Sequence, residues 1–216
     1  MLDWWLVLQW ILIGVLILLA LSFLVRIVRH YYHFPIPAFA TQLIDNPIRR
    51  RLVQRPDVLA ERLQLKPGMI VVEIGPGKGN YTKAVAERIL PRGKVYAIDI
   101  QESVIERLKK RIKKEGITNI VPKIDNAYNL SFAEQSVDRV FAMACLPEIP
   151  EPVKVLREFH RILKPDGLVC LCEMFPDPDY PRRKTEKRWA AEAGFELRQE
   201  FGNWFIYQLN FGKKSE

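Results

Sequence analysis

The chain has 216 residues and a formal net charge of +8 at pH 7. This length suits one domain of moderate size with an appendage. Its three cysteines, an odd number, exclude a disulfide-stapled scaffold and fit a reducing compartment. The sequence also has no internal repeats or low-complexity segments. The positive charge points to an anionic partner, for which nucleic acid and anionic lipid are the candidates.

A membrane anchor is predicted over residues 1–30. The stretch from Trp4 to Val25 has no charged residue, and as a helix it would reach about 33 Å, enough to cross a bilayer core of about 30 Å. A cleaved signal peptide would have basic residues in front of this stretch, but here Asp3 precedes it and Arg26 and Arg29 follow it. Positively charged residues near the C-terminal end of a membrane helix favour the cytoplasmic side for that end. The sequence therefore predicts a single-pass protein with the rest of the chain in the cytoplasm.

Residues 31–55 are predicted to form a proline-containing stalk with a basic lead-in, and residues 56–216 a folded domain. Basic residues crowd at Arg49–Arg51, close to the anchor. At a membrane, each basic residue near the surface contributes about 1 kcal/mol to the attraction for anionic lipid. Anionic lipid is therefore favoured over nucleic acid as the partner. The basic run Arg107–Lys114 also fits the solvated face of a helix.

A glycine-rich loop follows the first predicted strand of the domain. This strand, Ile70–Ile74, carries Glu73 near its end, and a helix is predicted over 81–89. Three glycines alternate in the loop: Gly75, Gly77 and Gly79. Glycine adopts positive φ and has no Cβ, so a ligand can lie almost against this backbone. A dinucleotide-binding loop, G-x-G-x-x-G, would have a third glycine where this chain has Asn80, which disfavours a pyrophosphate site.

A second predicted strand, over 94–98, ends at Asp99. A carboxylate at this place can accept hydrogen bonds from both hydroxyls of a ribose. Further strands are predicted over 119–124, 137–142 and 168–173, and helices over 103–114, 152–163 and 184–193. The alternation predicts a parallel sheet covered by helices on both faces. Near the end, the turn pair Gly202-Asn203 predicts a β-hairpin whose last strand enters the sheet antiparallel.

In these features the chain resembles the class I S-adenosylmethionine (SAM) methyltransferases. In particular, the glycine loop is similar to motif I of that family. The similarity extends from about residue 45 to residue 211. Segment 161–167 is similar to the R-x-L-K-P-G-G motif that precedes strand five, with Asp166 in place of one glycine. The subgroup it resembles includes the ubiquinone and menaquinone biosynthesis methyltransferases. The resemblance implies an α/β fold with a Rossmann-like, doubly wound, seven-stranded sheet, mostly parallel with an antiparallel last strand.

The same resemblance implies SAM as the cofactor and assigns its contacts. Glu73 and the three loop glycines would border the methionine half of SAM. Asp99 would bind the ribose, and Ile100 would pack on the adenine. Three consecutive residues after the third strand would meet the adenine edge: Asp125, Asn126 and Ala127. Apart from the resemblance, this last segment also fits a polar turn.

The acceptor is expected beyond the carboxyl ends of strands four and five. Two acids near this edge, Glu148 and Glu173, are candidates for a general base. Related sequences often have a His-Glu pair where this chain has Pro147-Glu148. Tyr180, in a proline-rich loop, is the third candidate catalytic residue. Its ring, or that of Trp204, can hold a methylammonium group by cation–π contact.

The sequence thus predicts a membrane-anchored, SAM-dependent methyltransferase. Its acceptor would be small or lipid-like, either a phospholipid amine or a quinone-type compound, at the cytoplasmic leaflet. A non-catalytic SAM-binding module and an NAD-dependent oxidoreductase are the alternatives. The cysteines indicate small buried hydrophobic residues rather than a metal site. The acceptor atom, the number of methyl groups transferred and the oligomeric state stay open.

Overall fold

A computed structural model describes residues 4–31, 55–175 and 177–214. The helices are α1 (Trp4–Tyr31), α2 (Pro56–Arg62), α3 (Asn80–Arg88), α4 (Glu102–Glu115), α5 (Pro152–Ile162) and α6 (Arg183–Glu192), with a 3-10 turn at Leu146–Glu148. The strands are β1 (Ile70–Ile74), β2 (Lys94–Asp99), β3 (Ile120–Ile124), β4 (Val137–Met143), β5 (Leu163–Met174), β6 (Phe195–Gly202) and β7 (Ile206–Lys213). The predicted stalk and the basic cluster Arg49–Arg51 lie outside the described residues.

The strands form one seven-stranded sheet in the order β3-β2-β1-β4-β5-β7-β6. Strands β1 to β5 pair in parallel, and β7 enters antiparallel between β5 and β6. This arrangement confirms the predicted fold class. The parallel strands all end at one edge of the sheet, which we call the carboxyl edge, and the loops that leave this edge form the candidate site.

Helices cover the sheet on both faces because consecutive strand residues point to opposite sides. Val71 belongs to one buried cluster, which also contains side chains of α2, α3 and α4. Its neighbour Val72 belongs to the other cluster, which contains Leu156 and Phe159 of α5 and Ala190 of α6. The central strands are therefore buried on both faces, as strands of parallel sheets usually are.

Two strands start two or more residues away from the positions that the sequence predicts. The sequence predicts β5 from residue 168, but helix α5 ends at Ile162 and the chain passes directly into β5, because Leu163 already pairs with Val137 of β4. In the hairpin, the apolar run after the turn predicts a strand from Trp204, whereas β7 starts at Ile206. The side chain of Asn203 explains this delay, since its Oδ1 accepts hydrogen bonds from the backbone N–H groups of Phe205, at 2.9 Å, and Ile206, at 3.2 Å.

Helix α1 is apolar and lies away from the core. Its 26-residue portion Trp4–Arg29 is the one helix among the described residues that is long and apolar enough to cross a membrane. Its large side chains are exposed, Trp4 at 75% and Trp10 at 70%. So much exposed apolar surface is typical of a surface that meets a membrane or another protein.

A partly buried ion pair between Arg161 and Glu158 holds the loop before β4 onto α5. The carboxylate of Glu158 accepts hydrogen bonds from Arg161 Nε at 2.8 Å, from Arg161 Nη2 at 2.6 Å and from the backbone N–H of Leu130 at 2.7 Å. Arg161 also donates to the carbonyl oxygens of Phe132, at 2.9 Å, and Leu130, at 3.0 Å. The loop conformation thus depends on one arginine.

Replacing Arg161 by alanine should destabilise the fold by about 2 kcal/mol, because the mostly buried Glu158 carboxylate loses its cation and two carbonyl groups lose a donor. Chemical denaturation of the detergent-solubilised protein measures this loss. The matched control is Arg157→Ala on an exposed position of the same helix, for which a change within about 0.5 kcal/mol is expected. Equal effects of the two substitutions would contradict the role of Arg161.

Candidate active site

The site begins where the strand order reverses. Strand β1 pairs with β2 on one side and β4 on the other, so the loops after β1 and β4 leave the carboxyl edge in different directions. A crevice between such loops is the usual ligand site of open α/β sheets. The backbone N–H of Gly75 donates to Ile98 O at 2.9 Å, which ties the start of the glycine loop to β2.

The three glycines of the loop all have positive φ but serve different needs. A Cβ on Gly75 would lie 2.5 Å from Cys145 Sγ, so this glycine lets the loop pack against the end of β4. A Cβ on Gly79 would collide with Leu108 Cδ1 of α4. A Cβ on Gly77 (φ +52°) would meet no atom within 4 Å. Gly77 therefore lies on the open side of the loop, where a ligand can approach the backbone.

Arg111 of α4 stabilises the far side of the loop. Its Nη1 donates to the carbonyl oxygen of Lys78 and, at 2.8 Å, to Asn80 Oδ1. The sequence favoured a solvated role for the basic run that contains Arg111, but this side chain braces the glycine loop. This contact also gives a reason for an asparagine at position 80, because its side-chain oxygen accepts a hydrogen bond from the Arg111 guanidinium.

Glu73 lies beneath the loop, with 1% of its surface exposed. Its Oε2 accepts a hydrogen bond from the hydroxyl of Thr82 in the first turn of α3. Burial raises the pKa of Glu73 to about 8, and the bond from Thr82 opposes this shift only in part. Glu73 thus joins β1 to α3, and its predicted contact with the methionine half of SAM stays a prediction.

Asp99 ends β2 next to the glycine loop. Its Oδ1 accepts a hydrogen bond from the backbone N–H of Gln101 at 2.8 Å. Burial raises the pKa of Asp99, while the neighbouring backbone N–H groups and Arg107 counteract this effect. A carboxylate has about four lone-pair sites, which leaves capacity for ribose hydroxyls. Ile100 follows with 59% of its surface exposed, so an apolar side chain borders this carboxylate.

The segment after β3 forms a hydrogen-bonded turn beside β2. Burial alone would raise the pKa of Asp125, but hydrogen bonds from Lys123 and from Ser131 outweigh it and the net pKa is lowered. Asn126 accepts a hydrogen bond from the backbone N–H of Tyr128 at 3.0 Å, and Ala127 is buried. The backbone N–H of Asp125 donates to the carbonyl oxygen of Asp99 at 3.4 Å, which joins the two predicted SAM contacts.

This arrangement fits SAM. The open backbone at Gly77 follows β1, and the Asp99 carboxylate and the exposed Ile100 lie at the end of the neighbouring strand β2, where a methionine tail, a ribose and an adenine would be expected. Among the described residues, no group of three His, Cys, Asp or Glu side chains could hold a metal ion. Burial raises the pKa of Cys170 and Cys172, so these thiols stay protonated in the core.

The acidic candidates for the acceptor side lie close to the end of α1. Glu148, in the 3-10 turn after β4, lies 3.6 Å from Arg29 Nη2. Arg29 Nε donates to Asp179 Oδ2 at 2.5 Å. The side chains of Arg29 and Asp179 are only 5% and 9% exposed. The structure therefore brings the apolar helix and the acceptor side of the sheet into contact.

A second acid lies deeper, at the end of β5. Glu173 is fully buried, and Glu186 of α6 is buried beside it. Among the described residues, neither carboxyl makes a hydrogen bond of normal geometry, although Tyr207 and Glu173 lie close enough to Glu186 to lower its pKa in part. Burial raises the pKa of Glu173 well above its ordinary value, and repulsion from Glu186, Asp177 and Glu148 adds to the effect. Burial likewise raises the pKa of Glu186 to about 8. At neutral pH this pair holds at least one proton.

Tyr180 belongs to an aromatic cluster at the same edge. Its ring contacts Phe175, at 5.8 Å between centroids, and Tyr207, at 5.5 Å. Its hydroxyl donates to the carbonyl oxygen of Trp204 at 2.6 Å. Burial raises the pKa of Tyr180. The phenol thus connects two loops of the carboxyl edge, and its predicted catalytic role stays a prediction.

Cys145 links the two halves of the site. Burial raises its pKa well above the ordinary value, and the carboxyl groups that add to this shift are those of Glu148, Asp99, Glu173 and Glu73. The predicted SAM side and the predicted acceptor side therefore lie within electrostatic reach of one side chain. Sequence reasoning identified the acids Glu148 and Glu173 but missed Arg29, Glu186 and the brace from Arg111.

The fold and this site define a class I methyltransferase. A family profile described as "Methyltransferase domain" matches residues 65–205, and the chain belongs to this family. It is a SAM-dependent methyltransferase, and SAM is its cofactor. The predicted family, enzyme class and cofactor are thereby confirmed, and the NAD-dependent alternative is wrong.

Known relatives place the chain further. It is 35% identical over 124 residues to demethylmenaquinone methyltransferase of Geobacillus stearothermophilus, covering 57% of this chain and 53% of that protein. It is 34% identical over 110 residues to the ubiquinone/menaquinone biosynthesis C-methyltransferase of Hydrogenovibrio crunogenus, and this match covers 50% of this chain and 43% of that protein. The chain thus spans about half the length of these relatives. A SAM-dependent methyltransferase structure from Aquifex aeolicus shares the fold with a TM-score of 0.76 and 22% identity, covering 82% of this chain and 98% of that one.

The glycines allow a test that separates packing from binding. An alanine in the left-handed conformation costs about 1–2 kcal/mol of strain. Gly79→Ala should lower the free energy of unfolding by more than this strain, because its Cβ would also collide with Leu108. Gly77→Ala should lower it only by the strain, but it should weaken SAM binding at least tenfold, because its Cβ would project into the open side of the loop. Thermal unfolding and calorimetric SAM titration measure the two effects. Unchanged SAM affinity in Gly77→Ala would contradict the assignment of that side to the ligand.

The buried acid pair predicts a stability that falls with rising pH. Folded Glu186, with a pKa of about 8 against an ordinary 4.5, keeps a proton that the unfolded chain releases between these values. In this window each such group lowers the free energy of unfolding by about 1.4 kcal/mol per pH unit. Glu186→Gln, a permanently neutral side chain, should raise the melting temperature at pH 8 and flatten its pH dependence.

The control for this prediction is Glu192→Gln, at the end of the same helix, where the side chain is 53% exposed. Thermal unfolding of the detergent-solubilised protein from pH 5 to pH 8 should leave this control parallel to the wild type. A Glu186→Gln profile as steep as that of the wild type would show that the pair is not protonated.

Proposed function

We infer that this chain is a membrane-anchored methyltransferase with residues 1–30 as a single-pass anchor, residues 31–55 as a stalk and residues 56–216 as the cytoplasmic catalytic domain. Its acceptor is a lipid-like molecule of the cytoplasmic leaflet, either a phospholipid amine or a quinone-type compound. The alignment with quinone-modifying relatives supports the lipid-like class. Nucleic acid is not proposed as a partner.

One observation carries this proposal: the end of the apolar helix contacts the carboxyl edge of the sheet. Arg29 pairs with Asp179, and Arg26 Nη2 donates to the carbonyl oxygen of Phe175 at 2.6 Å. If α1 crosses a bilayer, these contacts hold the acceptor side of the domain near the leaflet. A soluble acceptor would need no such arrangement.

On the cofactor side, we assign SAM to the crevice beside the glycine loop. Bound SAM supplies a methyl group on a sulfonium, and its transfer is an in-line displacement in which the carbon–sulfur bond breaks as the bond to the acceptor forms. Gly77 leaves the backbone open to the methionine half, and Asp99 binds the ribose hydroxyls. Glu73 positions the loop through Thr82. Most of the rate then comes from holding donor and acceptor in near-attack geometry.

On the acceptor side, we assign Glu173 as the proton acceptor. Methylation of an amine, a hydroxyl or a quinol ring each releases one proton, so a base serves all three. Only the singly protonated pair can take a proton, with Glu186 neutral and Glu173 ionised, and in that form the raised pKa makes the Glu173 carboxylate a stronger base. Glu186 beside it provides a second carboxyl to share the proton. Glu148 and Tyr180 border the acceptor rather than take its proton, because Arg29 and Trp204 already engage them.

The test is to supply methyl-labelled SAM to the full-length protein reconstituted into vesicles of total membrane lipid extract. Label should appear in one lipid band. Asp99→Ala, the binding control, should lose both SAM affinity and transfer. Glu173→Gln should keep SAM affinity and slow transfer by a factor of about 100 or more, the usual contribution of a general base.

Each outcome of this assay has a distinct meaning. Label in protein instead of lipid would contradict the lipid-like acceptor and point to a membrane protein. Retained SAM binding without any transfer would contradict the whole acceptor assignment. Full transfer by Glu173→Gln would remove Glu173 as the base but leave the lipid acceptor in place.

A further inference from the structure

Two exposed aromatic side chains meet at the carboxyl edge, Phe175 after β5 and Trp204 just before β7. Their surfaces are 44% and 71% exposed, although their rings contact each other in a T-shaped arrangement at 5.5 Å. Large aromatic residues are costly in water at such exposure, and they are typical of surfaces that meet the lipid headgroup layer. The remaining question is what covers them.

The end of α1 lies directly beside this aromatic pair. The Arg26 guanidinium lies over the Phe175 ring, 5.1 Å from its centroid, and Arg29 pairs with Asp179 four residues further along the same loop. The helix that is apolar enough to cross a membrane therefore ends against the loop that carries Phe175. A bilayer around α1 would place its headgroup layer at the height of Phe175 and Trp204.

Exposed basic side chains continue the same surface. Arg182 and Lys184, at the start of α6, are exposed. Between them, Arg183 donates to the carbonyl oxygen of Asn203 at 2.5 Å, which joins this basic segment to the loop of Trp204. We call the set of Phe175, Trp204, Arg182 and Lys184 the interfacial face.

Nearby acids would oppose an anionic leaflet if they were unpaired. Asp179 is neutralised by Arg29, and Glu148 lies 3.6 Å from the same guanidinium. Both acidic side chains are nearly buried, at 9% and 11% exposure. Asp177 also attracts Arg29, and Glu200 pairs with Arg183 and Lys187. The exposed basic charges of the interfacial face are those of Arg182 and Lys184, and such residues are attracted to an anionic leaflet.

We propose that the interfacial face lies against the headgroup layer of an anionic lipid leaflet and turns the carboxyl edge of the sheet toward the membrane. This inference rests on the proposed anchoring by α1 and adds which side of the domain meets the bilayer. The acceptor then enters from the leaflet, between the end of α1 and the loop of Phe175, without leaving the membrane surface.

Photo-crosslinking tests the proposal with the full-length chain. Trp204 is replaced by benzoylphenylalanine, and the protein is reconstituted into vesicles of phosphatidylcholine with phosphatidylglycerol. The matched control carries the same residue at Leu90, which is 51% exposed at the opposite edge of the sheet. After irradiation, mass spectrometry counts lipid adducts on each peptide. Adducts should form at position 204 and be absent at position 90, and their yield should fall several-fold in vesicles of phosphatidylcholine alone.

A second variant tests the contact that holds the face in place. Asp179→Asn removes the partner of Arg29 at nearly constant size, and it should lower the lipid adducts at position 204 several-fold. Asp57→Asn, which removes an exposed ion pair with Arg55 in α2, should leave them unchanged. Equal yields in the two variants would show that the ion pair does not orient the domain.

Other outcomes overturn the proposal in distinguishable ways. Equal adducts at positions 204 and 90 would mean that the domain has no fixed face toward the bilayer. Adducts to a second copy of the chain would make this face a dimer contact. Lipid methylation without adducts at position 204 would leave the proposed function standing and refute the orientation. A chain that does not float with the vesicles would refute both.

Discussion

The reversal of strand order at β1 is the constraint on which the site depends. Because β1 is flanked by β2 and β4, the loop after β1 must bend over the carboxyl edge, and its backbone is held by the bond from Gly75 to Ile98. The same reversal leaves Asp99 on one side of the loop and the end of β4 on the other. The residues predicted to bind the cofactor and those predicted to border the acceptor therefore lie on either side of the glycine loop and Cys145.

The electrostatics of the site consist of two layers that neutralise acids by different means. In the inner layer, Glu173 and Glu186 are buried side by side, and the pair lowers the cost of burying two negative charges by holding a proton. In the outer layer, Asp179 and Glu148 share one guanidinium from Arg29. In the proposed function, the buried pair takes the proton that the acceptor releases when the pair itself holds a single proton.

The sequence predicted most of the fold because the signals for it are local. Glycine spacing and apolar runs located β1 to the residue, and the hairpin turn revealed the reversed last strand. Contacts between distant segments leave no such signal. Arg29 and Asp179 are 150 residues apart, and in the sequence Arg29 only marks the end of an apolar stretch. Glu186 stands in a run of charged residues that indicates a surface, yet the packing of α6 on the sheet buries it.

The ion pair between α1 and the domain also couples the proposed anchoring to the order of the acceptor loop. Near a bilayer the effective dielectric constant is lower than in water, so the attraction between Arg29 and Asp179 strengthens as the interfacial face approaches the leaflet. The approach in turn shields Phe175 and Trp204 from water. Electrostatic and apolar contributions then favour the same orientation, in which the loop that borders Glu148 and Glu173 is held in place. If α1 crosses a bilayer and the interfacial face is oriented as proposed, the membrane is both the source of the acceptor and a part of the scaffold that orders the acceptor site.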